Sequence, residues 1–194
     1  LQFPENVRAK PSLYIGPLGE HGLFTIVREP LDNCVDEALA HRCTGMHVHL
    51  DPVNNEYWVM DNGSGIPVKP IKVKDQLGKE HSVSALHASV GMLNTSGKFN
   101  DEAYEVSRGA HGQGTKITNA LSTEFEVFTF RDGSWWTIAY KQGKETAQVA
   151  KAKQGPPNPF TGKRQTKGTW VRFKPELAIF KAKRFPSSMI STWA

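Results

Sequence analysis

Apolar and polar positions follow two periods along this chain. From His21 to Arg42 the spacing is helical: Leu23, Val27, Leu31, Cys34, Val35 and Ala38 fall on one side, and Glu29, Asn33, Asp36 and Glu37 fall within about 100° of one another on the other. Met46 to Asp51 and Glu56 to Met60 alternate instead, around Asn54-Asn55, which predicts a hairpin. Glu124 to Arg131 and Ser134 to Tyr140 flank Asp132-Gly133, a stronger hairpin signal. Helices are expected through Val83 to Leu93 and from Gly114 through Leu121, and a last strand from Gly168 to Lys174. The Pro- and charge-rich opening, Pro4 to Gly16, reads as an extended arm. Val68 to Ser82 reads as a loop, and the proline- and glycine-bearing Gln154 to Lys167 as a surface loop. Helices grouped with mostly antiparallel strands predict an α+β two-layer sandwich, its mixed sheet covered on one face by helices.

Composition narrows this picture without changing it. The 194 residues are 38% hydrophobic and 22% charged, which suits one globular domain with a real core. No apolar run approaches the roughly 20 residues that span a bilayer, so a soluble, cytoplasmic protein without a membrane partner is expected. Cys34 and Cys43 form no C-x-x-C pair and read as small buried side chains. The net charge of +5 is unevenly spread. Up to Tyr140 there are 12 Lys and Arg against 17 Asp and Glu, and from Lys141 onward 12 against 2. That asymmetry suggests two faces with different partners, the basic one either a solvated edge or a surface facing nucleic acid.

Three stretches carry candidate chemistry. The polar side of the first long helix lines up carboxylates and an amide, as a solvent-facing stripe also would. Asp61-Asn62-Gly63-Ser64-Gly65-Ile66-Pro67 places an acid where glycines let backbone approach a ligand. Gly109-Ala110-His111-Gly112-Gln113-Gly114 opens a helix at Thr115, where free N–H groups suit a phosphate. It does not fit G-x-G-x-x-G, and Gly91 to Lys98 misses the P-loop by one residue, with Phe99 where Ser or Thr is needed. Seven histidines, with His47-x-His49 on one strand face, offer a weaker zinc reading.

Taken in order, Glu29-x-x-x-Asn33-x-x-Asp36-Glu37, Asp61-x-Gly63-x-Gly65-Ile66-Pro67, Gly109-x-His111-Gly112-x-Gly114 and Gly168-Thr169 resemble the four ATP-site boxes of the GHKL superfamily. Arg8-Ala9-Lys10-Pro11-Ser12-Leu13-Tyr14-Ile15-Gly16 is similar to the arm that precedes the ATP site in B subunits of type IIA DNA topoisomerases, with Lys10 in place of an arginine. Ser96-Gly97-Lys98-Phe99, Tyr104 and Val106-Ser107 resemble their lid. The likeness runs from about Val7 to Pro175. It implies the Bergerat fold, an arm over residues 1–16 and an ATPase domain over 17–194.

By that resemblance, Glu29 is the general base that orients water at the γ-phosphate. Asn33 holds Mg²⁺ through its amide oxygen, and Asp61 accepts from the adenine amino group. Glu37, Gly65, Ile66, Pro67 and Thr169 complete the ATP pocket. Gly109, His111, Gly112, Gln113 and Gly114 cradle the phosphates, Lys98 and Tyr104 close over the nucleotide, and Arg131 stands at the rim where gyrase inhibitors bind. The implied cofactors are ATP and Mg²⁺. The implied whole is a homodimeric clamp acting on DNA with a topoisomerase A subunit or an equivalent breakage-reunion domain. A transducer domain follows in the family and supplies a further lysine, so these 194 residues are expected to bind nucleotide as a monomer with slow or undetectable turnover.

Several residues depart from the family pattern. Pro30 sits inside the first long helix, where proline costs about 3 kcal/mol, so a kink or a later start is expected. Ser64 replaces an arginine of the second box, so the salt bridge that such an arginine would make with Glu37 cannot form. Ala110 and Gln113 replace larger apolar residues, and Val68 to Ser82 is long. Together these suggest a divergent member of the kind a phage encodes. Two other readings compete. One is another GHKL protein, a mismatch-repair ATPase or a histidine kinase, against which the Tyr14-Ile15-Gly16 arm argues. The other is a nucleic-acid-binding module with Trp135, Trp136 and Trp170 as stacking platforms, although strand alternation puts Trp135 and Trp136 on opposite faces of a sheet.

Overall fold

Two-residue turns organise the sheet. In the computed structural model, which describes residues 2–74, 79–93, 113–159 and 161–181, β5 (Ser122–Arg131) and β6 (Ser134–Lys141) meet through Asp132-Gly133, both at positive φ, the turn geometry that matches strand twist. The same device recurs at Gln142-Gly143, at φ 52° and 79°, and leads into β7 (Lys144–Ala152). β1 (Met46–Asp51) and β2 (Glu56–Asp61) form the expected first hairpin, with Asn55 at φ 51°. β8 (Thr169–Pro175) inserts between β2 and β5, giving the order β1-β2-β8-β5-β6-β7. Every pairing in this sheet is antiparallel.

Helices cover one face. α3 (Glu20–Leu39) and α4 (Ala85–Gly91) lie on the sheet through Val27, Leu31, Cys34, Leu86 and Val90. These meet Tyr57, Val59, Phe125, Val127, Ile138, Tyr140, Val171 and Phe173 from the strands. A second cluster joins Leu23 and Ile26 of α3 to Ile117, Ala120 and Leu121 at α5 (Gly114–Ala120) and to Phe180 of α6 (Leu177–Phe180). The α+β two-layer expectation holds. Cys34 and Cys43 are both buried. Trp135 and Trp136 do lie on opposite faces: Trp135 packs edge-on against Phe130, while Trp136 packs on the helix-side core and donates to Arg131 O. Trp135 and Trp170 are 7% and 1% exposed, so these two pack in the sheet and offer no stacking platform.

Two expectations change, and two further features emerge. The opening is not an extended arm: α1 (Glu5–Ala9) and α2 (Ser12–Ile15) follow Pro4 and Pro11, residues whose fixed φ starts helices well. Their Val7 and Ile15 are buried in the second cluster. Arg8 donates to Ala120 O and pairs with Glu176 at 2.7 Å, tying the opening to the end of the fold. Residues 68–82 are not a loop throughout, because β3 (Pro70–Lys74) and β4 (Glu80–Ser84) form a separate hairpin. It escapes the pattern because Val73 is its one buried position. β7 escapes it too; as an edge strand its exposed Lys, Thr and Gln carry almost no apolar alternation. Finally, the basic final third is partly neutralised: Arg172 and Lys174 pair with Glu56, Glu124 and Glu126.

Pro30 neither ends α3 nor delays its start. Proline deprives the carbonyl four residues back, Ile26 O, of its helical donor. Thr118 of α5 fills that vacancy, its hydroxyl donating to Ile26 O at 2.7 Å with the threonine fully buried. Thr118→Val keeps the shape and removes the donor. It should cost about 1–3 kcal/mol, the penalty for a buried unpaired carbonyl. Urea unfolding would read this as a lower midpoint at unchanged slope, and an unshifted midpoint would refute it.

Candidate active site

The helix layer brings the first motif against the described end of the third, Gln113 and Gly114. Glu29 and Asn33 lie four residues apart on α3 and so project from one face. Opposite stands the start of α5. Asn33 Nδ2 donates to Thr115 Oγ1 at 2.7 Å. A Cβ added at Gly114 would lie 1.6 Å from Glu29 Oε2, so only glycine lets that carboxylate rest against this helix start. Glu29 also faces Arg28 at 3.8 Å. Gln113 forms the N-cap position, its carbonyl accepting from Ile117 N. Asp36, the fourth member of the polar stripe, stays exposed.

The second motif builds a buried acid beside this seam. β2 ends at Asp61, whose side chain is 5% exposed. Its Oδ1 accepts from Gly63 N at 2.7 Å and Thr169 N at 3.3 Å, while Cys34 Sγ donates to Oδ2. Burial pushes the carboxyl above its ordinary range, the two amides pull it back, and the negative charge of Glu37 adds to the rise. Gly65 packs against Phe130 O and Thr129, and Thr129 Oγ1 accepts from Ile66 N at 2.7 Å. Ile66 packs on the core, and Pro67 is half-buried after it. At the rim, Arg131 Nη1 donates to Ser64 O at 3.2 Å.

Ser64 makes no salt bridge to Glu37, but a different residue, Arg42, supplies an ion pair to that carboxylate. Arg42 approaches Glu37 Oε1 through Nε at 3.0 Å and Nη2 at 2.7 Å, and Ser64 donates to Oε2 through both N and Oγ. Burial raises this carboxyl, but the Arg42 and Ser64 hydrogen bonds outweigh it and hold the group below its usual range.

Lys98, Tyr104, Gly109, His111 and Gly112 lie outside the described residues. Sequence reasoning missed Thr115, Cys34, Thr129 and Arg42. Thr115 could have been found as the first hydroxyl after the glycine motif; the others carried no signal. Among the described residues no cluster of three or more His, Cys, Asp or Glu could hold a metal. A Mg²⁺ bound by one side chain and by phosphates needs none. Asn33 fits that part, because Thr115 engages its amide nitrogen and its amide oxygen is the hard donor such an ion takes. The groove between Trp58, Phe128 and Pro156-Pro157 on the other sheet face shares no residue with either half of this site.

The fold is a two-layer α+β domain, helices on one face of an antiparallel sheet. Residues 19–179 match the model of the histidine kinase-, DNA gyrase B-, and HSP90-like ATPase family, and the chain belongs to that family. Within it the chain is gyrase B-like. It is 37% identical over 186 residues to the DNA gyrase B protein of Thermotoga maritima, covering 96% of this chain and 27% of that protein. It is 38% identical over 194 residues to the DNA topoisomerase 4 B protein of Mycoplasma capricolum, covering 98% and 27%. The crystal structure of the 43K ATPase domain of Thermus thermophilus gyrase B in complex with an aminocoumarin matches with a TM-score of 0.72 and 33% identity, over 97% of this chain and 43% of that one. The chain thus spans about a quarter of the length of these curated relatives. Among the described residues no helix is long and apolar enough to cross a membrane.

Proposed function

We propose that this domain binds ATP across the seam between α3 and α5 and hydrolyses it with Glu29 as general base. The observation that carries the reading is the contact of Glu29 and Asn33 with Gly114 and Thr115, beside a buried Asp61. A carboxylate next to a terminal phosphate can hold the attacking water by hydrogen bonding and take its proton. Asp61 Oδ1 is already engaged by two amides, while Oδ2, which takes only Cys34 Sγ, keeps a lone pair to accept the exocyclic amine of adenine. Gly65, Ile66, Pro67 and Thr169 shape the base pocket, and Arg131 borders it. Gln113 and Gly114, with Gly109, His111 and Gly112, contribute main-chain N–H groups to the phosphates, and Lys98 and Tyr104 close over them. Asn33 Oδ1 holds Mg²⁺, which neutralises phosphate charge when bound. Residues 1–16 lead into the ATPase domain at 17–194.

In a protein of its relatives' length this domain would drive a homodimeric clamp on DNA, working in the cytoplasm with a breakage-reunion partner. The 194 residues alone should bind nucleotide as a monomer. Titration calorimetry with ADP and ATP, with and without Mg²⁺, should show one site per chain with binding strengthened by Mg²⁺. No binding in either condition would sink the proposal.

A further inference from the structure

We infer that Arg42 is a positioning residue for the base pocket: its guanidinium fixes Glu37, and Glu37 fixes the turn at residues 61–65 on which Asp61 and Gly65 are presented. The inference rests on the nucleotide site proposed above.

The end of α3 explains how Arg42 comes to lie there. His41 adopts φ 58°, its N–H bonds to Ala38 O, and Arg42 N bonds to Glu37 O at 2.9 Å. This is the reversal that commonly closes a helix through one left-handed residue. It folds the chain back so that Arg42 lies along the last turn of α3, with two nitrogens on Glu37 Oε1. Oε1 is thereby occupied, and Oε2 is aimed at Ser64, whose N–H and hydroxyl both donate to it, at 3.2 and 2.9 Å. From the other side Ser64 O takes Arg131 Nη1. The tip of the turn is held between two arginines, one acting through Glu37 and one directly.

The same carboxylate borders Asp61. A Cβ at Gly63 would stand 2.8 Å from Glu37 Oε2 and 2.9 Å from Asp61 Oδ1, so one glycine separates the two acids. Two negative groups this close repel, and the positive charge of Arg42 on the far oxygen of Glu37 offsets that repulsion. Without Arg42, Glu37 is free to swing or to take up a proton, and Ser64 loses a fixed acceptor. The pair itself is a part-exposed ion pair, its side chains 40% and 24% exposed, and contributes little to stability. Its effect should therefore fall on pocket geometry rather than on folding.

The test compares ADP with purine riboside diphosphate, which lacks the exocyclic amine that Asp61 would hold, by calorimetry on the 194-residue chain. Arg42→Gln should weaken ADP about tenfold and the amine-free analogue by less than threefold, with a melting temperature close to that of the parent. Arg42→Lys should recover part of the preference for ADP. Adding Ser64→Arg to Arg42→Gln should restore it, because a guanidinium grown from position 64 reaches Glu37 Oε2 directly. Equal weakening of both nucleotides, ADP affinity within twofold of the parent, or loss of melting temperature without rescue by Ser64→Arg would each overturn the inference. Failure of the unsubstituted chain to bind ADP would overturn the proposed function as well, which separates the two failures.

Discussion

Glu29→Gln should lower the rate of ATP cleavage by about 10²–10⁴, the usual contribution of a positioned general base, and leave ADP affinity within about threefold. Glutamine keeps the shape and one oxygen of the side chain but cannot take a proton from water. Close approach of this carboxylate to the α5 start depends on the missing Cβ at Gly114, so an isosteric amide tests the chemistry without disturbing the packing. Single-turnover hydrolysis with protein in excess is the measurement to use, because it reads the chemical step apart from product release. A rate within a factor of three of the parent would remove Glu29 from the base role.

Gly168→Ala should destabilise the domain by about 3 kcal/mol or more. A Cβ there would meet Asp61 O at 1.9 Å and Asn62 Cα at 2.8 Å, main-chain atoms that cannot rotate away, and the residue sits at φ 105°. Left-handed strain of about 1–3 kcal/mol adds to a similar overpacking cost. For a domain of this size the melting temperature should fall by about 6–12 °C. Gly162→Ala separates the two causes, since Gly162 also has positive φ but nothing within 4 Å of its would-be Cβ. It should show the strain alone. Equal losses at both positions would mean that contact with the Asp61 strand end contributes nothing.

The local geometry of the candidate site was legible because its parts depend on neighbours in sequence. Glycines at 65, 114 and 168 mark close approaches, and such positions are visible as residue type in a short window. The spacing of Glu29 and Asn33 is a helix repeat, and Asp132-Gly133 specifies its turn by the backbone alone. The opening segment is harder to read because proline suits both extended chain and a helix start. Pro4 and Pro11 each begin a helical turn that buries Val7 or Ile15, and that burial depends on distant partners. β7 is silent in the sequence because an edge strand is held by backbone pairing to β6 and needs no apolar code.

The sequence by itself determined the α+β class, the order of the four motifs and most strand boundaries, since periodicity and turn chemistry act over a few residues. Only the tertiary structure decided which polar groups meet. Thr115 reaches Asn33 across 82 positions, Thr118 reaches Ile26 O across 92, and Ser64 reaches Glu37 across 27. Such pairs obey no repeat; they form where packing of the apolar faces brings the segments together and where a buried donor or acceptor must find a partner. That requirement lets Thr118 accommodate Pro30, and it brings Arg42 to Glu37, a pairing no sequence motif announces.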